Sequence, residues 1–454
     1  MKKYRDNELL KIAAPITFQY LMTSLVSASD AFMLGFLDQT SLSASSLATQ
    51  VAFVYSLFYG AFVAGFNVLA AQYWGKKDRD VVEKITTISM RWALLVGIIF
   101  TLVTLIMPEM VMRIFTADPE LIELGGVYLR TVSLSYVLTG FTQIYYGVLK
   151  VCDRAGLSSL IGSLSVVLNI FLNAILIFGL LGMPRMGIAG AALATVAARI
   201  FETVAVIIFV RKYDCPKTIM KYFFSLKGDE SETNSIQTLE KDYWKYSLPL
   251  LINQLGWGCG VTMYSVIMGH LGSDATAANS IASIVRTIIA SVCWGFAAGV
   301  AIIIGGDLGR NELDKAKKLG GRYVRLSILI GAISGVVILC CIPLTLSVVN
   351  MTDQAKEYLK VMMMFASYYI IGNSLNSTII SGIFPAGGDT KFGMICDLVT
   401  LWCVIVPAGF LAAFVFKAPV LVVAFILTLD EFVKIPAVYK HYMKYNWVKN
   451  ITTI

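Results

Sequence analysis

Asp30 stands in the middle of SLVSASDAFMLGFL (24–37), a stretch otherwise apolar enough to lie within a bilayer. A carboxylate at the membrane centre costs on the order of 3 kcal/mol on insertion scales, so an acid kept there marks a functional site. Asp30 could take up a proton or a small cation from one side and release it to the other. The charged and neutral forms would then favour different packings of the helix that carries it. Three other polar residues lie in apolar runs of the same half. Asn169 and Asn173 are four residues apart, hence on one helix face, and Thr195 follows in the next run. Amides and hydroxyls so placed either tie helices together or offer oxygen to a cation. In the second half Asp397 is an acid in mid-run, whereas Asp389, in GGDTK, reads equally well as part of a turn. These two are secondary acids. Glu202 and Glu431 each lie three residues from a cation, Arg199 and Lys434, and read as structural partners of those cations. Gln19, Asn253 and Gln254, about a turn into their runs, are candidates for weak substrate contacts. Aromatic residues and methionines such as Trp257, Trp294, Met33 and Met263 suit either a soft cavity or ordinary packing.

The elements that must hold these residues follow from composition. Of 454 residues, 57% are hydrophobic and 15% charged, and the mean hydropathy is +0.73. Soluble domains carry about 25% charge. Continuous apolar runs recur along the whole chain, which predicts a polytopic α-helical membrane protein and excludes a β-barrel with its short alternating strands. Twelve segments are predicted, near 12–37, 46–74, 85–107, 121–149, 157–182, 187–210, 246–271, 278–308, 323–349, 355–385, 391–416 and 418–438.

The net charge of +8 is concentrated in alternate connections, such as GKKDRDVVEK (75–84), KVCDRAG (150–156) and GRNELDKAKKLGGR (309–322). That pattern is a positive-inside bias and not a nucleic-acid patch. It puts both termini in the cytoplasm and the chain in the cytoplasmic (inner) membrane. MKKYRDNELLKIAAP shows no cleavage site and is expected to remain. The polar stretch 211–245 reads as a cytoplasmic linker, with an interfacial part at KTIMKYFF, between an N-lobe (1–210) and a C-lobe (246–454 with the tail). Eight cysteines without a C-x-x-C and two separated histidines leave no material for a metal site. No cofactor is expected apart from H+ or Na+ as a coupling ion. No G-x-x-x-x-G-K-[ST] loop is present for ATP.

Sliding the chain by 234 residues reveals a repeat. Pro15 falls on Pro249, Gly35 on Gly269, FVAGF (62–66) on FAAGV (296–300) and Gly75 on Gly309, with 14 identities in the 70 ungapped positions 15–84. Each repeat holds six segments, so both enter the membrane from the same side. The prediction is an all-α fold of twelve helices in two pseudo-symmetric six-helix bundles, and such parallel repeats suit alternating access around a central cavity. The repeat partner of Asp30 is Tyr264, so the buried acid is asymmetric.

The repeated pieces resemble the multidrug and toxic-compound extrusion (MATE) family. The similarity is carried by Pro15, Gln19, Asp30, Met33, Gly35 and Leu37 in the first helix, AAQYWGKKD after the second, LNIFLNAILIFG in the fifth, GIAGAALAT opening the sixth and GIFPAGGDTKF in the second half. The resemblance implies a V-shaped pair of bundles. It also implies a cation site at Asp30, Asn169, Asn173 and Thr195, as in the archaeal and DinF-like branch rather than the NorM-like one. Asn173 stands where that branch has an acid. The function implied is antiport of hydrophobic or cationic compounds against H+ or Na+. Partners are then small molecules and the bilayer, with no nucleic acid, and the chain works as a monomer. The alternatives are a lipid-linked oligosaccharide or lipid flippase of the same superfamily, a channel, and a membrane-embedded enzyme, for which the required His, Asp or Ser clusters are missing.

Overall fold

In lipid every backbone N–H and C=O must be satisfied within its own segment, so apolar runs of this length fold as helices. The computed structural model describes the backbone of residues 2–218, 230–349 and 351–452, with side chains except at 2–10, 25–28, 30–32, 35 and 230–234. The first half comprises α1 (Lys2–Gly35), α2 (Gln39–Gly75), α3 (Arg79–Ile106), a short α4 (Pro108–Met112), α5 (Pro119–Val132), α6 (Leu134–Val151), α7 (Ala155–Phe178) and α8 (Gly187–Lys212). The second comprises α9 (Glu230–Gly269), α10 (Ser273–Gly309), α11 (Leu313–Val348), α12 (Asp353–Asn376), α13 (Phe384–Ala386), α14 (Thr390–Leu398), α15 (Val406–Phe410), α16 (Val420–Leu427) and α17 (Asp430–Tyr442). Each of the twelve predicted segments falls largely on helix, though 121–149 spans both α5 and α6 and 418–438 both α16 and α17. Seven described helices are long and apolar enough to cross a membrane, and the pair α5–α6, bent by 47°, makes an eighth.

Three features depart from twelve plain spans. At the α5–α6 bend two carbonyls take side-chain donors: Thr101 Oγ1 donates to Ser133 O at 2.8 Å and the Tyr55 hydroxyl to Tyr136 O at 2.7 Å. Wide π-helical turns, Ser377–Ile383, Val399–Ile405 and Leu411–Val415, follow α12, α14 and α15. The third is the start of α9. Residues 230–245, read from the sequence as linker, extend the seventh helix, and their apolar face buries Ile236, Leu239 and Tyr243. Glu240 there accepts from Trp92 Nε1 at 3.0 Å and pairs with Arg91. The KTIMKYFF stretch falls largely outside the described residues.

By contacts the chain divides into two compact units, one of Met1–Leu21, Ala71–Lys76 and Leu248–Ile454, the other of Met22–Ala70 and Lys77–Ser247. The core of the first gathers residues such as Phe296, Val300, Ile304, Ile383, Phe384 and Trp447; that of the second gathers Leu34, Ala48, Tyr55, Met112, Tyr136, Ile177 and Ala192. The 234-residue repeat is visible in local geometry. Lys77 and Asn311 both adopt left-handed conformations (φ 66° and 62°), and so do Asp153 and Gly388 (φ 59° and 74°), one residue further out of register.

Candidate functional site

Helix α7 presents Ser165, Asn169 and Asn173, one per turn, to α8, while Leu160, Leu164, Val167 and Phe171 face outward. The approach is close because Gly190 lies on the backbone of Leu176; a Cβ at 190 would meet that carbonyl oxygen at 2.6 Å. The polar side chains then link in series. Asn173 Nδ2 donates to Asn169 Oδ1 at 3.2 Å, Asn169 Nδ2 to Thr195 Oγ1 at 3.4 Å, and Thr195 Oγ1 to Ala191 O at 3.1 Å. Ser165 Oγ donates to Ala198 O at 3.2 Å. Asn169 and Asn173 are both buried. Three of the four cation-site candidates are therefore brought into one hydrogen-bonded series. The fourth, Asp30, lies on α1, and its side chain is outside the described residues. Elsewhere on α8, Arg199 Nη1 reaches the buried Glu202 Oε2 at 2.6 Å.

In the other unit, α9 meets α14 and the π-helical turn after it through glycines four residues apart. Gly256 faces Leu398 and Gly260 faces Leu401. The Trp402 indole N–H, on that turn, donates to Gly256 O at 3.1 Å. This contact sets Asn253 Nδ2 3.0 Å from Asp397 Oδ2. Asp397 Oδ1 receives Lys434 Nζ at 2.9 Å, and the same ammonium lies 3.1 Å from Glu431 Oε2. Arg286 is another cation within an apolar run of the second half. It stacks on the Tyr369 ring at 5.1 Å and donates to Ser283, while Lys434, one turn along α17 from Glu431, is placed between the two acids. Asn373 Nδ2 and Asn376 Nδ2 donate to Glu431 Oε1 and Oε2 at 3.1 and 2.8 Å.

Asp430 was not singled out by sequence reasoning, because the neighbouring Glu431–Lys434 spacing accounts for an acid at the start of that helix. No sequence signal marked it: Asp430 opens α17 just after the break at Thr428 and Leu429, which hydropathy does not register. Asp430 is buried, and its Oδ1 has no hydrogen-bond partner among the described residues. It lines a recess with Asn253, Trp257, Asp397, Leu398, Thr400, Leu401 and Lys434.

The remaining candidates lie elsewhere. Asp389 Oδ2 meets His441 Nε2 at 2.7 Å, and that ring stacks on Phe392 at 3.7 Å. Gln19 is buried on α1, and Gln254 is half-buried on α9. Among the described residues no cluster of three His, Cys, Asp or Glu side chains could hold a metal ion.

Comparison with known proteins gives a consistent match. The MatE family model covers residues 15–175 and 249–411, once in each repeat. The probable multidrug resistance protein NorM of Rhizobium meliloti is 24% identical over 415 residues, spanning 90% of this chain and 86% of its own. The probable multidrug resistance protein YoeA of Bacillus subtilis is 25% identical over 372 residues, 79% of this chain and 76% of its own. Among solved structures, a MOP superfamily transporter from Pyrococcus furiosus superposes with a TM-score of 0.85 at 17% identity, covering 97% of this chain and 96% of that one.

Proposed function

Since the chain belongs to the MatE family, whose members are transporters and not enzymes, we propose that it is a secondary active exporter of hydrophobic and cationic compounds. It works by alternating access and exchanges substrate for H+ or Na+. The reading is supported by relatives bearing multidrug-resistance names along almost the full length. Asp30 is the coupling carboxylate, and Asn169, Asn173 and Thr195 complete its surroundings. The observation that carries this assignment is the buried series Asn173–Asn169–Thr195 inside the first repeat, a polar interior in a chain whose only mid-span acid in the first two helices is Asp30. With Asn173 in place of a second acid, the site holds a single negative charge and suits one monovalent ion. We place the chain nearer the DinF-like branch on the same residues. The N-lobe is 1–210, the linker 211–245 and the C-lobe 246–454. The protein resides as a monomer in the cytoplasmic membrane with both termini inside, following its positive-inside bias.

The test is ethidium efflux from energised vesicles, with a pH gradient or a Na+ gradient imposed separately. Wild type is expected to pump under one of the two gradients, and Asp30→Asn to lose that gradient-driven efflux by tenfold or more, as expected when the ion-carrying group is removed. Normal pumping by Asp30→Asn overturns the coupling assignment. Absence of wild-type efflux of ethidium and of a small panel of aromatic cations under both gradients overturns the exporter reading.

A further inference from the structure

The recess between α9, α14 and α17 holds buried oxygens that the donors around it leave unmet. Two carboxylates, Asp397 and the buried Asp430, line it with Lys434, and Glu431, the neighbour of Asp430, pairs with the same ammonium. The Lys434 ammonium reaches Asp397 at 2.9 Å and Glu431 at 3.1 Å. Two further buried oxygens, Asp430 Oδ1 and Asn253 Oδ1, line the same recess and have no hydrogen-bond partner among the described residues. Converging oxygens around an ammonium are what a cation site requires, and a buried carboxylate oxygen without a hydrogen bond is otherwise costly, even with Arg286 as a second cation nearby. The Trp257 side chain also lines the recess.

We propose that this recess is a binding site for a primary ammonium and that Lys434 is its tethered occupant. An ammonium has three N–H donors. Two are directed at Asp397 and Glu431, and the unmet oxygens of Asp430 and Asn253 are what a free ammonium, not held by a side chain, could also engage. The site's chemical preference is then set by hydrogen-bond donors and small size, so a free primary amine fits and a quaternary one does not. A covalently attached occupant is not exchanged. On the exporter reading, that leaves exchange of the coupling ion to the first repeat.

The test separates the site from the exporter reading because it measures stability and not transport. Lys434→Ala is purified and its thermal unfolding followed in rising methylammonium chloride, with tetramethylammonium chloride at equal ionic strength as the control. The variant is expected to unfold several degrees below wild type, because partnered acids are left buried. Methylammonium is expected to restore at least half of that loss saturably, tetramethylammonium none, and wild type to respond to neither. Adding Asp397→Asn removes one ionic partner and should raise the half-saturating methylammonium concentration roughly tenfold. Equal responses to the two salts, or no saturable response, overturn the proposal. If Lys434→Ala does not fold, the yield of monodisperse protein solubilised in methylammonium is the readout, and no recovery over tetramethylammonium overturns it equally.

Discussion

Glu202 and Arg199 sit within one helical turn, and Glu202 is 3% exposed. Deleting Glu202 leaves Arg199, 27% exposed, without its carboxylate, a loss below the about 3–5 kcal/mol of a fully buried pair. Glu202→Ala is therefore expected to lower the unfolding midpoint, and Glu202→Gln, which keeps an acceptor for the guanidinium, to lower it less. Equal losses in thermal melts would count against the ion pair. A second prediction at this scale concerns two thiols outside the spans. Cys152, just past α6, donates its S–H to Cys215, past α8. That bond, with Arg154 and Arg79 nearby, brings the Cys215 thiol down to about 7 against the opposition of burial. A lowered value means more thiolate at neutral pH, and thiolate is the reactive form. The rate of modification of Cys215 by methyl methanethiosulfonate should reach half its plateau near pH 7. Cys152→Ala should move that midpoint upward, and an unchanged profile would show that the bond does not set it. Asn169 and Asn173 could be read from their spacing alone, since i,i+4 places them on one face. Asp430 could not, because it opens a helix just after a break that hydropathy does not register.

Among elements, closeness of approach decides what each contact tolerates. Gly190 faces the Leu176 backbone, with the carbonyl oxygen at 2.6 Å and its carbon at 2.7 Å from an ideal Cβ, and backbone cannot retreat without moving α7. Gly256 is opposed at 2.1 Å by Leu398 Cδ2, the far end of a flexible side chain. Overpacking costs about 1–3 kcal/mol where nothing can yield, whereas Ala gains roughly 1 kcal/mol over Gly in helix propensity. Gly190→Ala should thus lower the unfolding midpoint, and Gly256→Ala should leave it unchanged or raise it. The reverse order in thermal melts would contradict this account of the two contacts. The helices themselves were legible because apolar length sets them. The π-helical turns at 377–383, 399–405 and 411–415 were not, because one extra residue per turn barely disturbs a hydropathy average over the span. The extension of α9 back to residue 230 was missed for a different reason. Its sequence is polar overall, and burial of Ile236, Leu239 and Tyr243 against neighbouring helices sustains it.

At the scale of the whole chain, close contacts come in pairs related by the 234-residue offset. Gly65 faces Ser247, and Gly299 faces Ala13; Gly75 faces Gly306, and Gly309 faces Gln72. Adding 234 to both members of the first contact in each pair, and subtracting it where the numbers run past the end of the repeat, yields the second. The repeat found by sliding the sequence is therefore also a repeat of contacts, which identities in apolar text could suggest but not specify. What the repeat does not carry is the tail. Gln72 Nε2 donates to Ala386 O at 2.7 Å and to Lys449 O at 3.3 Å, while its Oε1 accepts from Ile451 N at 2.8 Å. Position 306, its partner by offset, is a glycine. The pair Gly75 and Gly309 gives the sharpest test of equivalence. A Cβ at 75 would fall 2.2 Å from Gly306 O, and one at 309 would fall 1.9 Å from Gln72 O, so in both cases backbone opposes it. Gly75→Ala and Gly309→Ala are each expected to lower the unfolding midpoint by a similar amount, corresponding to about 1–3 kcal/mol. The two contacts lie within three residues of each other on both helices, so once the helix ends have been forced apart by one methyl group the second adds little. The double variant should therefore fall well short of the sum. Additive losses in a double-mutant cycle would mean that the two glycines serve separate contacts, and that the repeat extends to sequence without extending to packing.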